Sequence, residues 1–474
     1  MTDERLNTVP EGEEQGTAAG IHWARWDRLS NLFVGDKGIW IVTIALMLIS
    51  IIVVFSAVSQ EAFRAENSGQ NFFGQILKHL ILVICAFGII VLGSHVPSRY
   101  YLRCSTIAFV FSLILLMLVP FIGIEINGGK RWLKIFFLTF QPSELTRLTL
   151  INFTASLLRG SDEQHSSLRV FWTIIIATGI TCLLIFMENI STAVFLALIV
   201  YLMMWVGGAH RKSMRWLTLG GLAAVTLVIL VVLLAPKGSV IDIGRTSTGY
   251  SRLTGFFEKI GKPINEETYD DIMGNDYQVV AAQKAIANSN VIGKGPGQSE
   301  LRQFLPQAFS DYVYNVVVEE YGIIGSAGLL ILYLVFFFRC GMLAKHSRSM
   351  YRTLVLMGVG ILVTTQAMMN MAVAANLLPV TGQTLPFISK GGSSYIITAI
   401  YFAIVQSIAH DINKNRLYQD AVVSGNAARV IDLEEVPEME EVPEMEEEIQ
   451  LTDQLTKLQK ETLHREASGG TAHL

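Results

Sequence analysis

Apolar residues in this chain gather into long runs, and the polar positions fall mostly between the runs rather than within them. Crossing a bilayer takes about 20 predominantly apolar residues. Runs of that order lie near 38–58, 76–94, 105–123, 142–158, 170–187, 190–208, 214–235, 313–338, 353–373 and 388–410. They predict an all-α polytopic membrane protein of about ten transmembrane helices. One interval is long: residues 236–312 form a large extracytoplasmic loop between spans 7 and 8, a length that is usually functional or disordered. Within it SRLTGFFEKI (251–260) and DYQVVAAQKAIANSN (276–290) have helical apolar spacing, followed by the glycine-rich GKGPGQSE (293–300). Short amphipathic helices on the membrane surface fit this pattern.

Composition agrees, with 51% hydrophobic and 16% charged residues, far more apolar than a soluble domain. Orientation follows from the Lys and Arg residues of the short loops, which are retained on the cytoplasmic side. Arg25, Arg28 and Lys37 precede the first span, and Arg99, Arg103, Arg159, Arg169, Arg211, Lys212, Arg215, Arg339, Lys345, Arg348 and Arg352 mark every second loop. Both termini are therefore expected in the cytoplasm. The chain divides into a cytoplasmic N-terminal segment (1–37), a membrane domain (38–410) and an acidic tail (411–474). The N-terminal segment has no signal-peptide core, so the first span is a retained helix. The tail carries EEVPEM twice in tandem at 434–445, a composition expected to be disordered and suited either to docking a partner or to simple solvation. The net charge of −4 is dominated by that tail, and nothing points to nucleic acid. Cys85, Cys104, Cys182 and Cys340 lie within or at the cytoplasmic ends of spans, which supports neither a disulfide nor a zinc site.

Candidate chemistry collects at the outer ends of the spans. LPVTGQTLPFISKGGSS (378–394) places Pro379, Gly382, Pro386, Gly391 and Gly392 where a plain membrane helix would have none. Irregular backbone at that depth survives where protein or a wet cavity satisfies its polar groups. Lys390, beside those glycines and Ser393 and Ser394, offers a cation next to open backbone N–H groups, which suits phosphate. In INGGKRWLKIFFLTFQPSEL (126–145), Lys130, Arg131 and Lys134 break the charge rule on the outer side; with the amphipathic Trp132 they suit a phosphate-bearing headgroup or an interfacial anchor. Glu144 and Arg147, three apart, allow an intramembrane ion pair, or Arg147 reaches a pyrophosphate. Asp311, at the mouth of the eighth span, reads as a general base or as an N-cap. Glu319 and Glu320, eight and nine residues further on, pair with a base, bind a cation or hold the architecture, and as neighbours they face different ways.

These residues also carry a resemblance that covers about 38–410. NGGKRW with QPSEL, GKGPGQS, LPQAFSDY with EEYG, and LLPVTGQTLPFISKGGSS occur in the order of similar motifs in the SEDS family. The chain resembles that family's peptidoglycan glycosyltransferases, and in its acidic tail, ENIST (188–192) and GQTLPFISKGG it is more similar to the division-type FtsW members than to the elongation-type RodA members. The resemblance implies polymerisation of lipid II at the outer face of the bacterial cytoplasmic membrane, at the division septum. Asp311 would then take the proton of the acceptor 4-hydroxyl while undecaprenyl diphosphate leaves, with Lys130, Arg131, Arg147 and Lys390 meeting its charge. It also implies lipid II and the undecaprenyl-diphosphate-linked glycan as ligands, a class B penicillin-binding protein as partner, further division proteins on the tail, and room for a divalent cation, magnesium or manganese. Departures are Gln307 and Phe309 for the family's usual Glu and His, Glu188-Asn189 for its Asp-Gly, and Lys390 for its Tyr. A lipid II flippase is the competing class; against it, the sequence shows no internal duplication of the kind common in transporters.

Overall fold

A computed structural model of the chain describes residues 32–64, 72–126, 129–135, 138–160, 168–234, 286, 289–299, 312–379, 382–389 and 391–423. Each of the ten apolar runs falls on a helix. In chain order these are α1 (Lys37–Arg64), α2 (Phe72–Ser94), the short additional α3 (Ser98–Arg103), α4 (Ser105–Ile122), α5 (Pro142–Leu158), α6 (Leu168–Glu188), α7 (Ile190–Val206), α8 (Arg211–Leu234), α9 (Val313–His346), α10 (Met350–Ala374) and α11 (Gly392–Val423). Among the described residues, seven helices, α1, α2, α4, α6, α9, α10 and α11, are long and apolar enough to cross a membrane. Helices α5 and α7 have 17 residues each. The large outer loop lies mostly outside the described residues, as do Asp311, Lys390 and the tail beyond 423.

Three boundaries differ from the sequence reading. Helix α11, on the tenth apolar run, starts at Gly392 rather than 388, because Leu385–Ser389 closes a turn of its own: the Ile388 and Ser389 amides both donate to Leu385 O, and the Leu385 amide donates to Ser389 Oγ. The same helix runs on to Val423, into the segment assigned to the tail. The third difference is a strand meander, β1 (Ile124–Ile126), β2 (Gly129–Ile135) and β3 (Leu138–Phe140), antiparallel in the order β1-β2-β3. It lies where the sequence reading had a plain loop, and the Asn127-Gly128 pair between β1 and β2 is a strong hairpin signal. Strand β2 packs on α4, α5 and α6.

Helix α10 is central, packed against α9, α5 and α7. Gly358 lets it approach closely, since a Cβ there would sit 2.7 Å from Ile151 and 2.8 Å from the Met203 sulfur. Small residues at such crossings are what membrane helices use in place of a hydrophobic driving force. Phe402 of α11 stacks on Phe336 of α9 at 4.4 Å and meets Phe387 of the preceding loop at 4.9 Å. Contacts divide the chain into two compact units, Met1–Asn413 and Lys414–Leu474; of the second, residues 414–423 are described.

Helices α1 and α9 are pinned to each other at two heights. Near the start of α1, Asp36 accepts from the Ile39 amide at 2.9 Å and from Arg339 Nε at 3.0 Å, with a second contact from the Arg339 terminal nitrogen. Gln406 of α11 brackets the same residue, accepting from the Asp36 amide and donating to its carbonyl. At the other end Ser56 donates to both Glu320 carboxylate oxygens at 2.7 and 2.8 Å. From Asp36 to Ser56 is 20 residues and from Glu320 to Arg339 is 19, which at 1.5 Å per residue is about 30 Å, the thickness of a hydrocarbon core. The two clamps therefore stand about one hydrophobic thickness apart.

Helix α9 breaks at Gly322 (φ 66°, ψ −165°), two residues after Glu320. A Cβ at position 322 would lie 2.4 Å from Val291 O and 2.5 Å from Asn290 O, both fixed backbone. Gly322→Ala should destabilise the folded chain by about 3 kcal/mol, the upper range for an unadoptable backbone conformation. Thermal unfolding of the detergent-purified chain measures it; parent-like melting would mean the break is not there.

Candidate functional site

Most of the predicted residues that are described fall into or beside two buried polar groups. The first is built on α5 and α10. Pro142 opens α5 at the first helical position, where its missing N–H costs nothing, and one turn in lie Glu144 and Arg147, both 4% exposed. Their charged groups pair at 3.5 Å, the ion pair that the three-residue spacing allows. Arg147 also donates to Gln366 on α10 at 3.2 Å and to Gln383 in the following loop at 3.4 Å. Its Nε has no hydrogen-bond partner among the described residues.

Around that guanidinium the loop after α10 is held by side chains. Gln366 donates to Thr384 O at 2.9 Å and Asn370, one turn on, donates to Gln383 O at 2.7 Å. Gln383 in turn donates to Thr192 Oγ1, in the first turn of α7, whose N-cap is Asn189 of the ENIST segment. Thr384 meets Ser394 of α11 at 3.1 Å. Pro386 O accepts from Tyr333 at 2.5 Å, Tyr401 donates to Glu144 O at 3.0 Å, and Gly382 takes a left-handed φ of 66°. The irregular stretch is thus satisfied by protein, as its depth requires. Pro379, Gly391, Gly392 and Ser393 flank the same loop, with the Ser393 hydroxyl buried and without a hydrogen-bond partner among the described residues.

The second group surrounds Glu319 and Glu320, each 1% exposed. Glu319 accepts from Lys294 Nζ at 3.0 Å and from Ser299 Oγ at 2.6 Å, while Glu320 takes Ser56. As expected of adjacent residues, the two carboxylates serve different partners. Lys130, Arg131 and Trp132 stand on β2, which packs on α4, α5 and α6; Arg131 and Trp132 are half-buried. Asp311 and Lys390 lie outside the described residues. Helix α9 begins at Val313 with Tyr312 as N-cap residue and no side-chain cap bond.

Sequence reasoning missed Gln366, Asn370, Gln383, Thr192 and Ser56. The signal was present, since an amide side chain inside an apolar run must find a partner. Gln366 and Asn370 are four apart and so share a helix face. Among the described residues no group of three or more His, Cys, Asp or Glu stands together to hold a metal ion, so no step is routed through one.

Residues 36–414 match the profile of the FtsW/RodA/SpoVE family, described as "Cell cycle protein". The chain is 28% identical over 406 residues to the "Probable peptidoglycan glycosyltransferase FtsW" of Haemophilus influenzae, covering 84% of this chain and 95% of that one. To the protein of the same description from Enterococcus hirae it is 27% identical, covering 77% and 90%. A solved chain from work on structural coordination of polymerization and crosslinking by a peptidoglycan synthase complex superposes with a TM-score of 0.62 at 23% identity, covering 80% of this chain and 98% of that one. The rod shape determining protein RodA of Thermus thermophilus gives 0.55 at 22% identity, covering 80% and 97%. With its profile matched over most of its length and its polytopic helical fold shared with solved relatives, the chain belongs to the FtsW/RodA/SpoVE family.

Proposed function

We propose that this chain is a peptidoglycan glycosyltransferase of the division type, polymerising lipid II at the outer face of the cytoplasmic membrane. The observation that carries the reading is the family match over residues 36–414; the relatives with which it aligns are described as FtsW glycosyltransferases. In the reaction, the acceptor sugar's 4-hydroxyl oxygen bonds to the anomeric carbon of the donor as the bond to undecaprenyl diphosphate breaks. The hydroxyl proton goes to Asp311, and the electron pair leaves with the diphosphate. Groups aimed at that developing charge contribute most to the rate. Lys130, Arg131 and Lys390 are the cations for it, because Arg147 is already engaged by Glu144, Gln366 and Gln383.

The partner is a class B penicillin-binding protein, whose transpeptidase would cross-link the strands; a solved relative of the same fold comes from a complex that couples polymerization and crosslinking. Both termini face the cytoplasm, on the distribution of Lys and Arg, and the tail docks other division proteins. The test is reconstitution of the full chain with a class B penicillin-binding protein and lipid II in vesicles. Glycan strands resolved on a gel are the expected product. Lipid II crossing the bilayer without any polymer would replace this reading with a flippase.

A further inference from the structure

The break in α9 is filled by another part of the chain. With Gly322 out of helical geometry, the carbonyls of Glu319 and Glu320 lose the amides that would otherwise close their helix turns. The turn 291–299 supplies them instead: the Lys294 amide donates to Glu319 O and the Gly295 amide to Glu320 O, both at 2.9 Å. From the other side of the break, the Ile324 amide donates to Val291 O at 3.3 Å. Each glutamate then grips the turn, or what lies beside it, a second time with its side chain. Glu319 takes Lys294 Nζ and Ser299 Oγ; Glu320 takes Ser56 Oγ, which itself accepts from the Gly297 amide at 3.0 Å. The turn is thus bound to two helices through three backbone–backbone hydrogen bonds and three that involve a side chain, and leaving such groups unmade where they are buried is costly.

We infer that Glu319, Glu320 and Ser56 are positioning residues for catalysis: they dock the 291–299 turn into the break of α9 and so fix both ends of the stretch 300–311. Ser299, the residue before that stretch, is bonded to Glu319; Tyr312, the residue after it, is the buried N-cap residue of the same helix. Twelve residues separate them, and the last of the twelve is Asp311. A chain closed on one rigid element at both ends samples far fewer arrangements than one tethered at a single end. Displacement of a reacting group by about 1 Å costs on the order of 100-fold in rate. The inference rests on Asp311 being the base, and it assigns the EEYG and GKGPGQS motifs a shared task that neither performs alone.

The experiment uses the full chain with its transpeptidase partner and lipid II, and reads two quantities. Ser56→Ala, Ser299→Ala and the double variant should lower kcat about tenfold or more, with KM for lipid II within twofold. Ser299→Thr, which keeps the hydroxyl, should restore most of the loss. In parallel, hydrogen exchange at the amides of Lys294, Gly295 and Gly297 should speed up in Glu320→Gln and Ser56→Ala, while α1 and α10 keep the parent's protection. Unchanged kcat with faster exchange at 291–299 overturns the positioning role. So does faster exchange spread over the whole bundle, which would make these residues merely structural. Failure of the base assignment is read separately, from Asp311→Asn in a chain whose turn exchanges like the parent's.

Discussion

Asp311→Asn should reduce glycan polymerisation by roughly 10²–10⁴-fold, the usual contribution of a positioned general base, while leaving the melting temperature of the purified chain near the parent's. The substitution separates the two roles that the sequence allows for this carboxylate. Asn is as good an N-cap as Asp, so a capping residue would tolerate it with no loss of rate. What Asn cannot do is accept the proton of an attacking hydroxyl, since its amide nitrogen is a donor and its oxygen is weakly basic. Polymer formation from lipid II by the variant at the parent's rate would sink the assignment. A variant that neither polymerises nor melts like the parent would point to a structural role instead.

The ten apolar runs were legible because a membrane helix has to be apolar along its length, and every run falls on a helix. Legible for the same reason was the irregular backbone of 378–394, whose Pro and Gly a plain span would not contain, and which falls between the helices that end at Ala374 and start at Gly392. The break in α9 was not. A lone glycine within an apolar stretch gives no sign of it, and Gly322 looks no different in sequence from Gly325 or Gly328. Equally hidden was the meeting of Ser56 with Glu320, 264 positions away, because a serine in an apolar run is common and its partner is set by how helices pack. The pairing of Glu144 with Arg147 was readable from spacing, but the engagement of that arginine by Gln366 and Gln383 needed the tertiary fold.

Arg147→Met should cost about 3–5 kcal/mol of stability, the loss seen when one member of a buried ion pair is removed and its partner charge is stranded. Glu144 is 4% exposed, so water cannot replace the guanidinium, and Gln366 and Gln383 lose the donor that both their side-chain oxygens share. Adding Glu144→Gln should recover most of the loss, since burial of a neutral amide carries no charge penalty and replacing a whole buried pair is often close to neutral. Thermal melts of the parent, both singles and the double give the coupling between the two positions; equal and additive losses would mean that the pair is not the reason Arg147 matters. The same four proteins assayed on lipid II decide whether the arginine also meets the leaving diphosphate. With its donors engaged by Glu144 and two glutamines, its work is to hold the 378–394 loop against α5 and α10, and polymerisation should return with stability in the double variant. A double variant that melts like the parent yet makes no glycan would hand Arg147 back to the substrate.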